Sequence, residues 1–310
     1  FATGMHYASK DFLFLLFFFY GAKLAPRETL LGLKNWRLHA VIFCFTFILF
    51  PIIGVGLKYA TIGWLGQGLA LGLLYLTLVP GTVQSSIAFT SVAHGNVAGA
   101  IVASSLSNIL GVFLTPLLVM LTMATTGDVH ITGRSILDIF LQILLPFIIG
   151  QLLHKYLGPG LNRHPILTKT VDRGTIWINV YTAFSQAVVE GVWMRVTALH
   201  LLALVGICIA VVSLVLVLSW CMAKGLGFNR EDCIAAQFCG SKKSLSSGIA
   251  MGAVLFAGST GELSAGILML PLMLFHLFQL LICAVLAGRY GRQWEREHTH
   301  AHANDQGAAQ

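Results

Sequence analysis

The chain has 310 residues, 56% of them hydrophobic and only 10% charged, with a formal net charge of +7. A typical soluble domain carries roughly 25% charged residues, and so few cannot clothe a water-facing surface around this much apolar sequence, which excludes a soluble globular protein. Nucleic acid is excluded as a partner too, because the Lys and Arg lie in short segments between apolar runs and form no dense patch.

Repeated apolar runs of about 20 residues, with Gly and Pro scattered inside them, fit the length of a helix crossing a hydrocarbon layer about 30 Å thick. A membrane β-barrel would alternate polar and apolar residues, whereas 201–218 is apolar all round. The fold class expected is an all-α polytopic membrane protein whose partner is the lipid bilayer. In chain order the spans are 8–22, 37–58, 63–93, 96–123, 136–157, 170–190, 198–223, 228–257 and 263–289. The chain opens on Phe1, and its first apolar run, 11–20, is short. A helix preceding it is therefore expected to be missing, and no signal-peptide features are present.

If the chain starts outside and alternates, the inner segments hold thirteen basic residues, among them Arg27, Lys34, Lys155, Arg163, Lys224 and Arg292. The outer ones hold four, Lys10, Lys58, Arg134 and Arg195. That asymmetry places the C-terminus in the cytoplasm and the protein in the cell (inner) membrane.

Two spans are long and interrupted. The first breaks at Pro80-Gly81-Thr82-Val83-Gln84-Ser85-Ser86, the second at Gly240-Ser241-Lys242-Lys243-Ser244, about 160 residues later. Counting ten spans, the breaks occupy corresponding places in two halves of five, and an odd number inverts the second half relative to the first. Residues 1–124 are then a first repeat lacking its first helix, 125–292 a second repeat, and 293–310 a disordered polar cytoplasmic tail. His298, His300 and His302 in that tail alternate without a fold to fix them, and the tail is assigned no function.

Irregular backbone at mid-membrane depth leaves amide groups unpaired unless protein or a polar cavity satisfies them. The breaks therefore imply a binding cavity lined by Thr82, Gln84, Ser85, Ser86, Gln237, Ser241, Lys242, Lys243 and Ser244. A packed Pro kink at the first break, or a surface loop at the second, is the bland alternative. Burying a lysine at the bilayer centre costs at least ~2.5–3.5 kcal/mol, so the pair Lys242–Lys243 demands compensation. Ser104 and Asn108, with Gly111 and Thr115, share one face of the next span and either line the cavity or bond neighbouring helices. Glu190 is a proton-coupling carboxylate or the partner of the lysines, or else an ordinary residue at the outer interface. His276 and Gln279, a turn apart, either line the site or pack. The six cysteines lie singly in or beside apolar runs and read as reduced packing residues. With no HExxH, GxSxG or Walker-A string and no mid-membrane aspartate pair, an enzyme is not expected. No cofactor is implied, and sodium or a proton are the candidate coupling ions.

The runs PGTVQSSIAFTSVAHGNVAGAI and SSLSNILGVFLTPLL resemble the fourth and fifth spans of the bile acid:sodium symporter family (solute carrier family 10). QFCGSKKSLSSGIAMGAVLF looks like the ninth span of the branch of member 7 and its bacterial symporter relatives. The resemblance implies inverted five-helix repeats forming panel and core domains, with two crossed discontinuous helices in the core. It places sodium-site positions at Ser104 and at Ser85 or Ser86, a one-residue length difference leaving that choice open. Where better-known members carry an acidic residue followed by Val-Gly-Met-Gln-Asn, this chain reads Phe238-Cys239-Gly240-Ser241-Lys242-Lys243. The sodium-binding carboxylate is missing, which weighs against sodium coupling. An ammonium from Lys242 or Lys243 standing in for the cation would repel sodium and attract an anion. The function expected is a secondary active transporter, a symporter of a small organic anionic solute. A non-transporting regulatory or scaffold membrane protein is the alternative.

Overall fold

A computed structural model describes residues 2–23, 35–124, 140–163, 165–189, 196–257, 259 and 263–308. Among them the regular structure is entirely helical. In order the helices are α1 (Ala2–Lys23), α2 (Trp36–Leu65), α3 (Gln67–Leu78), α4 (Gln84–Val92), α5 (Val97–Val119) and α6 (Leu145–Leu152). There follow α7 (His154–Arg163), α8 (Pro165–Val189), α9 (Ala198–Gly225), α10 (Arg230–Gly240), α11 (Leu245–Leu255) and α12 (Ala265–Ala308).

Among the described residues four helices are long and apolar enough to cross a membrane: Trp36–Leu65, Val97–Met123, Ala198–Gly225 and Ala265–Glu297. Large apolar side chains such as Ile52, Phe113, Leu117, Trp177, Leu202, Val217 and Leu281 are exposed on several helices. Together they form an apolar exterior that water would not tolerate and lipid does. The protein is thus a polytopic helical membrane protein.

Polar residues at helix starts fix where several elements begin. Asn96, Thr197, Asn229 and Ser244 each cap a helix, their side-chain oxygens accepting from the backbone N–H of Gly99, His200, Asp232 and Ser247. Asn96 also donates to Asp232 at 2.6 Å, and Asn35 reaches the other oxygen at 3.0 Å. That carboxylate therefore ties α2, the start of α5 and the start of α10 together.

Several boundaries differ from those the hydropathy predicts: α1 already runs from Ala2, the expected span 136–157 is divided between α6 and α7, and α8 begins at Pro165. The apolar run does not pause near 59–62: α2 continues to Leu65, and the chain reverses at Gly66, whose φ of 85° favours glycine. The last helix also continues through the polar stretch 293–308, whose composition reads as coil. Its first turns are good helix formers, and Gln293 bonds Glu297 one turn on at 2.9 Å.

The core centres on α3, buried from Gly68 to Leu78. A helix this apolar on every side belongs in the middle of a bundle. It ends where Pro80 forces it to, because the residue before a proline is driven to extended geometry, and Val79 sits at φ −77°, ψ 155°. The second interruption falls at Ser241-Lys242-Lys243, between α10 and α11. Both breaks lie where the sequence places them, and they touch: Ser244 N donates to Pro80 O at 2.8 Å.

Candidate functional site

Ending a helix inside the membrane strands its last carbonyls, and an accounting of their partners defines the site. At the first break Leu78 O accepts from Thr115 Oγ1 at 2.9 Å. Gly81 N donates to Ser107 Oγ at 3.1 Å and Gly81 O accepts from Asn108 Nδ2 at 3.0 Å. The polar stripe on α5 bonds the broken segment through Asn108 and Thr115, and Asn108 also lines a cavity, together with Ser105, which lies off the stripe.

Thr77 O and Val79 O both accept from one donor, the ammonium of Lys243, at 2.8 and 2.9 Å. Its third bond goes to Thr46 O at 2.9 Å. Thr46 lies in a π-helical turn, Phe45–Leu49, inside α2, and such turns interrupt the regular ladder and frequently mark functional sites. The Phe50 ring covers the ammonium at 4.2 Å from its centroid. Three charge-assisted bonds at roughly 1.5–3 kcal/mol each, and a desolvated cation–π contact of about 2, are of the size needed to offset the insertion cost. Lys243 needs no carboxylate. Its backbone is held as well, Gln279 accepting from Lys243 N at 2.9 Å and donating to Lys243 O at 2.8 Å. Gln279 is thus a packing residue, while His276 lines the cavity.

Lys242 is held differently. Its Nζ donates to Ser85 O at 2.8 Å and sits 3.9 and 5.3 Å from the ring centroids of Phe89 and Phe238. Both lysine side chains are fully buried. Among the described residues no carboxylate pairs with either one, and Glu190, the sequence's candidate partner, lies outside those residues.

The cavity is about 570 Å³ and is lined from both breaks, by Thr82, Gln84 and Ser85 of the first and Ser244 and Ser246 of the second. Tyr20 faces Ser246 across 3.4 Å, Lys169 stands exposed at the edge, and Leu16, Ile101, Val112 and Phe147 supply apolar wall. The helices α4 and α11 both begin here, aiming the positive ends of their dipoles into one space. α4 has no side-chain cap, whereas α11 is capped by Ser244. Ser247 Oγ donates to Asn108 Oδ1 at 2.9 Å, so Asn108 bridges the two breaks.

Neither lysine is a lining residue, in contrast to the sequence expectation, because carbonyls and aromatic rings away from the cavity hold both ammonium groups. Ser86, Ser104, Gln237 and Ser241 also face inward. Ser86 bonds Thr82 and Phe238 O, Ser104 bonds Cys239 Sγ, Gln237 bonds Leu216 O, and Ser241 bonds Gln237 O. Thr46, Phe50, Ser246 and Ser247 were not among the expected site residues. The two serines stand in the GSKKSLSSG string, and the local mark beside Thr46 and Phe50 is Pro51, which brings no N–H to the helix ladder. The six cysteines are free, four of them buried.

Asn108→Leu is expected to lower the thermal unfolding midpoint of the purified protein measurably, since it strands Gly81 O, and one buried unpaired carbonyl costs about 1–3 kcal/mol. A midpoint equal to wild type would refute the bridging role.

Comparison with known proteins gives a consistent picture. The sequence profile of the SBF-like CPA transporter family matches residues 2–292. The chain is 48% identical over 279 residues to the "Uncharacterized protein PA2026" of Pseudomonas aeruginosa, covering 90% of this chain and 83% of that one. It is 45% identical over 285 residues to the "Putative symporter YfeH" of Escherichia coli (strain K12), covering 91% and 83%. It is 28% identical over 273 residues to the "Sodium/bile acid cotransporter 7" of Xenopus tropicalis, covering 87% and 78%. The resemblance read from the two broken segments points to the same group, and the group consists of transporters rather than enzymes.

Proposed function

The chain belongs to the SBF-like CPA transporter family, and on that premise we propose that it is a secondary active transporter, a symporter of a small organic anion. The observation that carries this reading is one cavity lined by residues from both helix breaks, with hydroxyls and two helix N-termini around it. Neutral hydroxyls, an amide and positive dipole ends favour an anionic head group, while the wall of Leu16, Ile101, Val112 and Phe147 suits an apolar body. In this reading 1–124, lacking its first helix, and 125–292 are two inverted repeats of a five-helix unit, and alternating access moves one group of helices against the other around the crossing. The protein sits in the cell inner membrane with its C-terminus in the cytoplasm, as the distribution of basic residues argues.

Sodium is not the coupling ion in this proposal. No carboxylate stands at 238–244, and Lys242 donates to Ser85 O, beside the serines the family resemblance marks for sodium. The test is a thermal-shift screen of the purified protein against organic anions, in sodium and in choline salts and across pH. We expect at least one anion to stabilise the protein equally in both salts, and Ser105→Phe, which fills the cavity from α5, to weaken that response at least tenfold. Stabilisation by an anion only in the presence of sodium would overturn the coupling assignment. A protein indifferent to every organic anion would be a scaffold rather than a carrier.

A further inference from the structure

We propose that the carbonyl oxygens of Thr46, Thr77 and Val79 form a monovalent-cation site which the chain fills permanently with its own Lys243 ammonium. Three oxygens, from the π-helical turn of α2 and the end of α3, converge on one nitrogen at 2.8–2.9 Å, and the Phe50 ring covers it. Each carbonyl has a reason to need an outside donor. Thr77 and Val79 are at the end of a helix that Pro80 stops, and Thr46 sits where the regular ladder is interrupted. A hydroxyl or an amide would satisfy one or two of them; a cation satisfies all three at once.

The ligand class follows from the donor set. Carbonyl oxygens with no carboxylate among the described residues lack the negative charge that divalent ions demand of their sites. The spacing suits an ammonium-sized ion better than the smaller sodium. The Lys243 side chain is fully buried, and its backbone is clamped on both sides by Gln279. The tether cannot leave without unlocking the second break, so the contact between the breaks is independent of the ions in solution. This inference concerns the crossing itself and holds whatever solute the neighbouring cavity takes.

The test uses the purified full chain without solute, so its failure is separable from failure of the transport reading. The thermal midpoint of Lys243→Ala is compared in choline, sodium, potassium and ammonium chloride at equal ionic strength and pH. It is then measured with n-butylammonium chloride, which resembles the missing side chain, against n-butanol, which matches it without charge. The variant is expected to be several degrees less stable than wild type in choline. Ammonium, potassium and above all butylammonium should raise it, sodium and butanol much less, and the wild type should respond to none of them. A Lys243→Ala protein as stable as wild type in choline, or restored as well by butanol as by butylammonium, would overturn the proposal. So would a variant that no cation stabilises, or a wild-type midpoint that rises on adding sodium or potassium. If Lys243→Ala is recovered only from membranes held in ammonium or potassium salts, the proposal stands. If it is recovered in none of the salts, the response of the wild type to these cations decides: none supports the tethered ion, and stabilisation refutes it.

Discussion

Lys243→Met is expected to cost the protein several kcal/mol of stability, while Lys242→Met leaves stability nearly unchanged. The two lysines are adjacent, equally buried and identical in chemistry, so composition offers no reason for a difference. Their acceptors do. Methionine at 243 matches the stem but leaves the carbonyls of Thr46, Thr77 and Val79 without a donor inside the bundle. At about 1–3 kcal/mol per stranded group, and with partial relaxation, the loss should be about 3–5 kcal/mol, the range seen on breaking a buried ionic contact. At 242 the replacement loses one bond to Ser85 O and also relieves a buried ammonium with a single hydrogen-bond acceptor. Methionine keeps favourable sulfur contacts to Phe89 and Phe238, so the net change should lie within about 1 kcal/mol. Thermal unfolding of both variants in one detergent reads the contrast, and equal losses would refute it.

A buried charge that stabilises little is retained for another reason, and the position of Lys242 suggests which. It donates to the carbonyl of Ser85, the same residue that lines the cavity at the start of α4. Its charge would therefore reach an anion in the cavity through one residue rather than by contact. Lys242→Met should keep the fold and weaken anion binding, the pattern of a local rule broken at a functional site.

The sequence announced the breaks because their causes are local. Pro80 removes a donor and biases Val79 away from helix, and Gly240 to Ser244 cannot form an apolar turn. It also announced the membrane, since hydropathy is additive along a run. What compensates the lysines was not legible. The expectation looked for a carboxylate or an anionic solute, but the acceptors are backbone carbonyls, which every residue carries. Thr46 O does have a local cause: in the π-helical turn Phe50 N donates to Phe45 O, and Pro51, five residues beyond Thr46, has no N–H to offer. The tertiary partners lie far off in the chain: Thr46 is 197 residues from Lys243 and Ser85 is 157 from Lys242. Gly66 was missed for a simpler reason, as one glycine inside a long apolar stretch barely alters its hydropathy.

The second large effect is expected at Gly111, which touches no solute. A Cβ there would lie 2.5 Å from Cβ and 2.7 Å from Cγ of Pro80, and a proline ring cannot rotate aside. Gly111→Leu must therefore move α5 away from the first break. Three contacts depend on that approach and lie within a turn or so on either side: Ser107 to Gly81 N, Asn108 to Gly81 O and Thr115 to Leu78 O. Separating the helices would strand those backbone groups together, and Asn108 would lose its position between Gly81 and Ser247. Overpacking costs about 1–3 kcal/mol by itself, and the stranded groups add to it. Gly111→Leu should therefore unfold well below the wild-type temperature and lose anion stabilisation altogether, whereas Gly206→Leu, at an unobstructed position of α9, should leave both unchanged. A Gly111→Leu protein that still responds to anions as wild type does would show that the bridge from α5 is not what shapes the cavity.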